Sequence, residues 1–396
     1  MRLPVPGHHG AGHRVADRLL AGGLLLAALV GCAVTPSFPD RPSGPFRPQL
    51  EVGPQAGPQP EIPGDPQLPG HAPSGVPPGP PDGCADPDPQ VVATCLEPVS
   101  ALVVLDGKAL VGLAAERTTG RILRVQRHQP TQQVAALSVD ATGDGGLTGL
   151  ALSPSYSEDE LIYAYITTAV DNRVVRIAPG DVPKPVLTGI PKGPTGNAGA
   201  LALDPNGMLV VATGDAGDPA KAADPLSLAG KVLRIDTSGR AAPGNATGSK
   251  VLAAGLHDPG GLCTDALSGD VWVTDRAPDR DLLYRVRPGA PLGPAAWTWP
   301  NRPGAAGCVV MQGRIQVAFT SGAPMLALSI GPNGTFLGKP VEIPLKHYGR
   351  VSAAALSPDG RMVWLATVNK EGGKPISSDE RVFVLPDPVG PGGGQD

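Results

Sequence analysis

From Val99 onward one short pattern returns six times: an aliphatic strand, a turn often built on Pro-x-Gly, a second aliphatic strand, then a run of alternating polarity. The copies open at Val99 ("VSALVVLDGKALVGLAAERTTGRILRV"), Gly146 ("GLTGLALSPSYSEDELIYAYIT") and Ala198 ("AGALALDPNGMLVVATGD"). They continue at Gly260 ("GGLCTDALSGDVWVTDR"), Ala306 ("AGCVVMQGRIQVAFTSGAPMLALSIGPNGTF") and Val351 ("VSAAALSPDGRMVWLATV"). Short strands between Asn-Gly, Asp-Gly and Ser-Gly turns pair as antiparallel meanders. No ten-residue amphipathic helix follows Gly31, which excludes alternating strands and helices. Six units of about four strands each predict an all-β fold, a six-bladed β-propeller over residues 99–386, in which radial packing leaves few exposed strand edges. A single two-sheet sandwich is too small to hold this much chain. Aromatic residues make up only 4% of the sequence, so the core must be Val, Leu, Ile and Ala, with Gly and Ala packed near the axis.

The residues ahead of the repeat do not belong to that fold. Arg2, Arg14 and Arg18 precede the apolar run "LLAGGLLLAALVG", which ends at Cys32. A basic segment followed by an apolar stretch too short to span a bilayer is the pattern of a secretory signal, here residues 1–31. The tetrapeptide "LVGC" (Leu29–Cys32) resembles a bacterial lipobox. That resemblance implies cleavage before Cys32 and diacylation of its thiol, with palmitate the expected chain, and two chains hold a protein stably on a membrane. An ordinary signal peptide with a chance Cys is the alternative. Residues 32–98 then read as lipidated Cys and linker, because 18 of the 48 prolines lie between Pro36 and Pro89. Such a segment buries too little apolar surface to offset its ordering entropy and is expected to be a disordered or polyproline-II tether. At about 3.1 Å per residue the roughly fifty residues from Ala33 to about Gly83 would reach on the order of 150 Å when extended. Residues 387–396 read as a disordered tail.

Four further cysteines, Cys84, Cys95, Cys263 and Cys308, form an even set in a chain expected outside the cytoplasm. Of the three connectivities, Cys84–Cys95 and Cys263–Cys308 is expected: the first pair is close in sequence and the second joins adjacent repeats. The net charge of −4 and the lack of a basic stripe exclude nucleic acid as a partner.

Three segments, "GGLTGLALSPSYSEDELIYAYIT" (Gly145–Thr167), "DPNGMLVVATGDAGDP" (Asp204–Pro219) and "LSLAGKVLRIDTSG" (Leu226–Gly239), with "GRVSAAALSPDGRMVWLAT" (Gly349–Thr367), carry a resemblance to the glucose/sorbosone dehydrogenase family. These are soluble quinoproteins that hold pyrroloquinoline quinone (PQQ) and calcium on a six-bladed propeller. The leader and linker resemble an actinobacterial cell-envelope lipoprotein branch of that family. In active members a His before the third blade's first strand takes the proton from the sugar. Here Gly196 stands at that position, and glycine neither accepts nor orients a proton.

The resemblance places further departures around the site. The turn before the fourth blade reads "GLHDPGG", with His257 for the family's Arg and Asp258 for its Asn. Asp258 would repel a carboxylate-rich cofactor. Ser321 stands at a family Lys. Of two arginines flanking the sixth blade, Arg350 is kept and Ser352 replaces the other. The calcium loop reads "TDRAPD", in which Asp275 and Asp279 are weak metal candidates beside the cation of Arg276.

The pocket candidates are therefore Asp144, Asp215, His257, Asp258 and Arg350, with no catalytic residue assigned and His257 only as a weak surrogate base. Asp215, Asp218 and Asp224 have a plainer reading as turn residues that bond their own backbone. The expected protein is a lipoprotein anchored on the extracytoplasmic face of the cell membrane, catalytically degenerate, binding a small polar ligand or an envelope protein partner. The alternative is an active aldose dehydrogenase that retains PQQ and calcium.

Overall fold

The structure is a computed structural model that describes residues 83–246, 248–287, 292–345 and 347–386. The signal peptide, Cys32, the linker up to residue 82 and the 387–396 tail lie outside the described residues.

Six four-stranded antiparallel sheets make the six blades of a propeller. Their innermost strands are Val99–Asp106, Leu147–Leu152, Gly199–Leu203, Pro259–Thr264, Ala305–Met311 and Val351–Leu356, for blades one to six in that order. Each starts within a residue of the repeat read from the sequence. Blade three shows how the sequence builds one. Gly199–Leu203 pairs with Leu209–Thr213 through an Asp-Pro-Asn-Gly turn. The Asp204 carboxylate accepts the N–H groups of Asn206 and Met208 at 2.8 and 2.9 Å, which closes that turn locally. Leu209–Thr213 is buried along its whole length because neighbouring blades cover both faces, so it reads as a continuous aliphatic run instead of an alternating one.

One apolar cluster fills each of the six interfaces between adjacent blades. The few aromatic side chains are concentrated there, with Trp272, Trp364, Tyr163 and Phe383 fully buried. Each contributes about 1.5–3 kcal/mol or more by leaving water. Close to the axis there is no room for such groups. A Cβ on Gly260 would lie 2.0 Å from the Ala305 carbonyl oxygen, and one on Gly307 would lie 2.3 Å from the Ala354 nitrogen. Neighbouring innermost strands pack backbone to backbone there, as the low aromatic content predicts.

The ring begins earlier than residue 99. Val91–Ala93, inside the stretch read as linker, pairs antiparallel with Val382–Pro386 and forms the outer strand of blade six. The segment around it is fastened by a Cys84–Cys95 disulfide. Asp86 pairs with the buried Arg381 at 3.3 Å, and the Tyr348 hydroxyl donates to Asp88 at 2.6 Å. The second disulfide, Cys263–Cys308, ties the innermost strands of blades four and five, so both expected pairings are present. The helices are brief, Tyr156–Asp159 and Pro219–Ala223. Among the described residues no helix is long and apolar enough to cross a membrane.

Candidate functional site

The first residues of the innermost strands converge at one end of the axis. Ser100, Thr148, Gly199, Gly260, Ala306 and Ser352 line a cavity there of about 300 Å³. Deeper, the channel narrows to a space of about 50 Å³. At the other end it opens into an apolar mouth lined by residues such as Leu102, Leu150, Leu203 and Leu356. The polar end is where chemistry is available. Its hydroxyls are already engaged by the fold: Ser100 donates to carbonyls of Ala115 and Leu147, Ser352 donates to Val99, and Thr148 accepts the Gly199 N–H.

Charge enters the cavity from the rim loops. Arg117, Arg276 and Arg350 line it together with Asp144 and Glu371. Arg117 pairs with Glu371 at 2.5 Å and also donates to the Gly145 carbonyl at 2.6 Å. Arg276 pairs with Asp258 at 3.0 Å. Arg350 has no carboxylate partner among the described residues, and its buried Nε has no hydrogen-bond partner. Its backbone N–H is held by the Asn369 side chain at 2.8 Å, which fixes where the side chain leaves the rim.

Asp144 lines the cavity, yet its carboxylate is turned to the neighbouring blade. It accepts the Gly196 N–H at 2.7 Å and the backbone and side-chain N–H groups of Asn197 at 3.2 Å. Gly196 has φ +66°, and a Cβ there would meet Asp215 Oδ1 at 2.6 Å and the Gly217 nitrogen at 2.8 Å. This backbone has room for no side chain at position 196.

His257 and Asp215 are brought together but not into the cavity lining. The His257 Nδ1 lies 3.0 Å from Asp215 Oδ2, and the Asp215 N–H donates to the His257 carbonyl at 2.8 Å. Asp275 is completely buried beneath this turn and accepts N–H groups from His257 and Asp258 at 3.0 and 2.8 Å. Burial pushes its carboxyl up to about 6 against the pull of those two amides and of His257. Burial also raises the Asp258 carboxyl; Arg276 opposes that rise and Asp144 adds to it. Asp279 is exposed and pairs with Arg280. The two weak metal candidates thus serve separate structural ends, and among the described residues no group of three or more His, Cys, Asp or Glu side chains is arranged to hold a metal ion. Asp218 caps the Pro219–Ala223 helix and Asp224 accepts the Leu226 N–H, so both act as turn residues.

Sequence reasoning did not single out Arg117 or Glu371, and it treated Arg276 only as an obstacle to a metal. The signal available was positional: "ERTTG" leaves the second strand of blade one and "NKEGG" lies just after that of blade six. Both loops therefore open on the same rim as Gly196 and His257.

A family model described as glucose/sorbosone dehydrogenase matches residues 96–312. The PQQ-bound aldose sugar dehydrogenase of Streptomyces coelicolor is 30% identical with a TM-score of 0.70, over 75% of this chain and 96% of that one. An oxidoreductase (glucose dehydrogenase) from Thermus thermophilus is 31% identical with a TM-score of 0.68, over 74% of this chain and 98% of that one. An aldose sugar dehydrogenase of Escherichia coli is 26% identical over 157 residues, which span 35% of this chain and 42% of that protein.

Proposed function

The chain belongs to the glucose/sorbosone dehydrogenase family, and from that premise we propose that it is a degenerate member whose axial cavity binds a ligand or partner without oxidising a sugar. The observation that carries this is Gly196. A proton must be taken from the sugar hydroxyl, and the position from which the family resemblance would have it taken has neither a side chain nor space for one. The carboxylates that line the cavity, Asp144 and Glu371, already accept hydrogen bonds from the protein.

The residues present also do not fit a quinone–calcium centre. A tricarboxylate cofactor needs unpaired cations. Two of the three cavity arginines are paired with Glu371 and Asp258, and Asp144 adds a further negative charge. The Asp275 carboxylate is engaged by two backbone amides and Asp279 by Arg280.

We further propose that Cys32 is lipidated and that the propeller stands on the extracytoplasmic face of the membrane, as the "LVGC" signal supports. One observation favours the active alternative: His257 has a carboxylate partner, Asp215, which would orient its ring as a base. Against it, His257 does not line the cavity.

Incubating the full chain with PQQ and calcium, then following the quinone absorbance and dye reduction with a panel of aldoses, separates these readings. No turnover is expected. Turnover that disappears in His257→Ala would establish the alternative. Cell fractionation of Cys32→Ser should move the protein from the membrane to the soluble fraction, and an unchanged distribution would remove the lipid anchor.

A further inference from the structure

The cavity charges can be accounted for pair by pair. Arg117 answers Glu371, Arg276 answers Asp258, and Asp144 is satisfied by the amides of Gly196 and Asn197. Arg350 is left over: a guanidinium at the cavity wall with a buried Nε that donates to nothing. A buried unsatisfied donor on a cation calls for an explanation, and a role in binding an anion supplies one. It is also held for that purpose. Asn369 fixes its backbone, and the Gly373 Cα stands so near the Arg350 Cδ that a Cβ on residue 373 would come within 2.7 Å.

Resting on the binding reading above, we infer that the cavity is a receptor for a small, singly charged, polyhydroxylated carboxylate, a sugar acid, with Arg350 gripping its carboxylate. A guanidinium meets a carboxylate through two parallel hydrogen bonds, which gives both affinity and orientation. Arg350 is the one cavity guanidinium without a carboxylate partner among the described residues, and it can grip one carboxylate; three carboxylates would find no partners for the other two. A volume of about 300 Å³ sits at the small end of ligand pockets and suits a single hexose ring. Each carboxylate offers about four acceptor sites. Glu371, bonded to Arg117, therefore keeps capacity for ligand hydroxyls.

The test is calorimetric titration of the full chain with sodium D-glucuronate and with D-glucose, which differ in a carboxylate against a hydroxymethyl group. Glucuronate is expected to bind at least tenfold more tightly, and to weaken as salt is raised. Arg350→Gln should remove that preference while leaving the thermal melt unchanged. If Arg350→Gln fails to fold, Arg350→Lys takes its place: it keeps the charge, loses the two-point grip, and should weaken glucuronate several-fold without affecting glucose. No binding of glucuronate, equal binding of glucose, or a variant that folds and still prefers glucuronate would each overturn the inference. PQQ-dependent aldose turnover would instead overturn the reading on which it rests.

Discussion

Gly196 and Asp275 show two ways in which a single position fixes the rim. At Gly196 the constraint is steric. A left-handed φ costs a non-glycine residue about 1–2 kcal/mol, and overlap with well-packed neighbours adds about 1–3 kcal/mol. Gly196→Ala should therefore lower unfolding free energy by about 2–5 kcal/mol in a denaturant titration. Gly244 is the control, since its φ is +86° but nothing lies within 4 Å of its missing Cβ. Gly244→Ala should lose only the strain, about 1–2 kcal/mol. Equal losses at the two sites would mean that the close contacts at 196 are not real. At Asp275 the constraint is electrostatic. Its folded carboxyl is raised to about 6 by burial, above its value in the unfolded chain. The stability this contributes is full below about pH 4 and is lost as pH rises through about 6. Asp275→Asn has no such proton to lose, so the difference between wild type and variant should shift against the wild type between those pH values. Denaturation midpoints measured at about pH 4.5 and about pH 7 decide it; parallel curves would contradict the raised value.

At the scale of strands, the six innermost segments were legible because each carries its own local evidence: aliphatic residues, a turn signal, then aliphatic residues again. The closing strand was not. Val91–Ala93 is three residues long, sits among Pro and Asp, and gains its meaning only by pairing with Val382–Pro386 at the far end of the chain. The site divides in the same way. Asp144 and Arg350 were found because each adjoins a recognisable repeat. The pairings that set their charge, Arg117 with Glu371 and Arg276 with Asp258, join loops whose partners no local pattern announces. The disulfides test how much these long-range ties matter. Cys263–Cys308 closes a loop of 45 residues and Cys84–Cys95 one of 11. Chain-entropy arguments give about 4 kcal/mol for the longer loop and about 3 kcal/mol for the shorter. Replacing each pair with Ala should destabilise in that order in guanidinium, and the reverse order would show that the terminal clip does more than shorten the unfolded chain.

For the propeller as a whole, the question is what keeps the ring shut. Five blades are continuous in sequence, whereas blade six takes its outer strand from residues that precede blade one. The seam is reinforced by charge as well as by strand pairing. Arg381 is buried and is shared between Asp86 and Asp379. Tyr348 stacks on Phe383 with ring centroids 3.5 Å apart and donates its hydroxyl to Asp88. Removing one partner of a buried ion pair typically costs about 3–5 kcal/mol, because the remaining charge is left in a poor environment. A chain that starts at Glu97 would lose Asp86, Asp88 and the Val91–Ala93 strand together, leaving the edge of Val382–Pro386 unpaired. A chain that starts at Gly83 would keep all of them. The longer form should melt in one transition as a monomer. The shorter one should melt well below it and associate through the bared edge, which sedimentation would detect. If both forms melt alike, the ring is held by the interfaces between blades alone, and the strand before blade one is only an ornament on its surface.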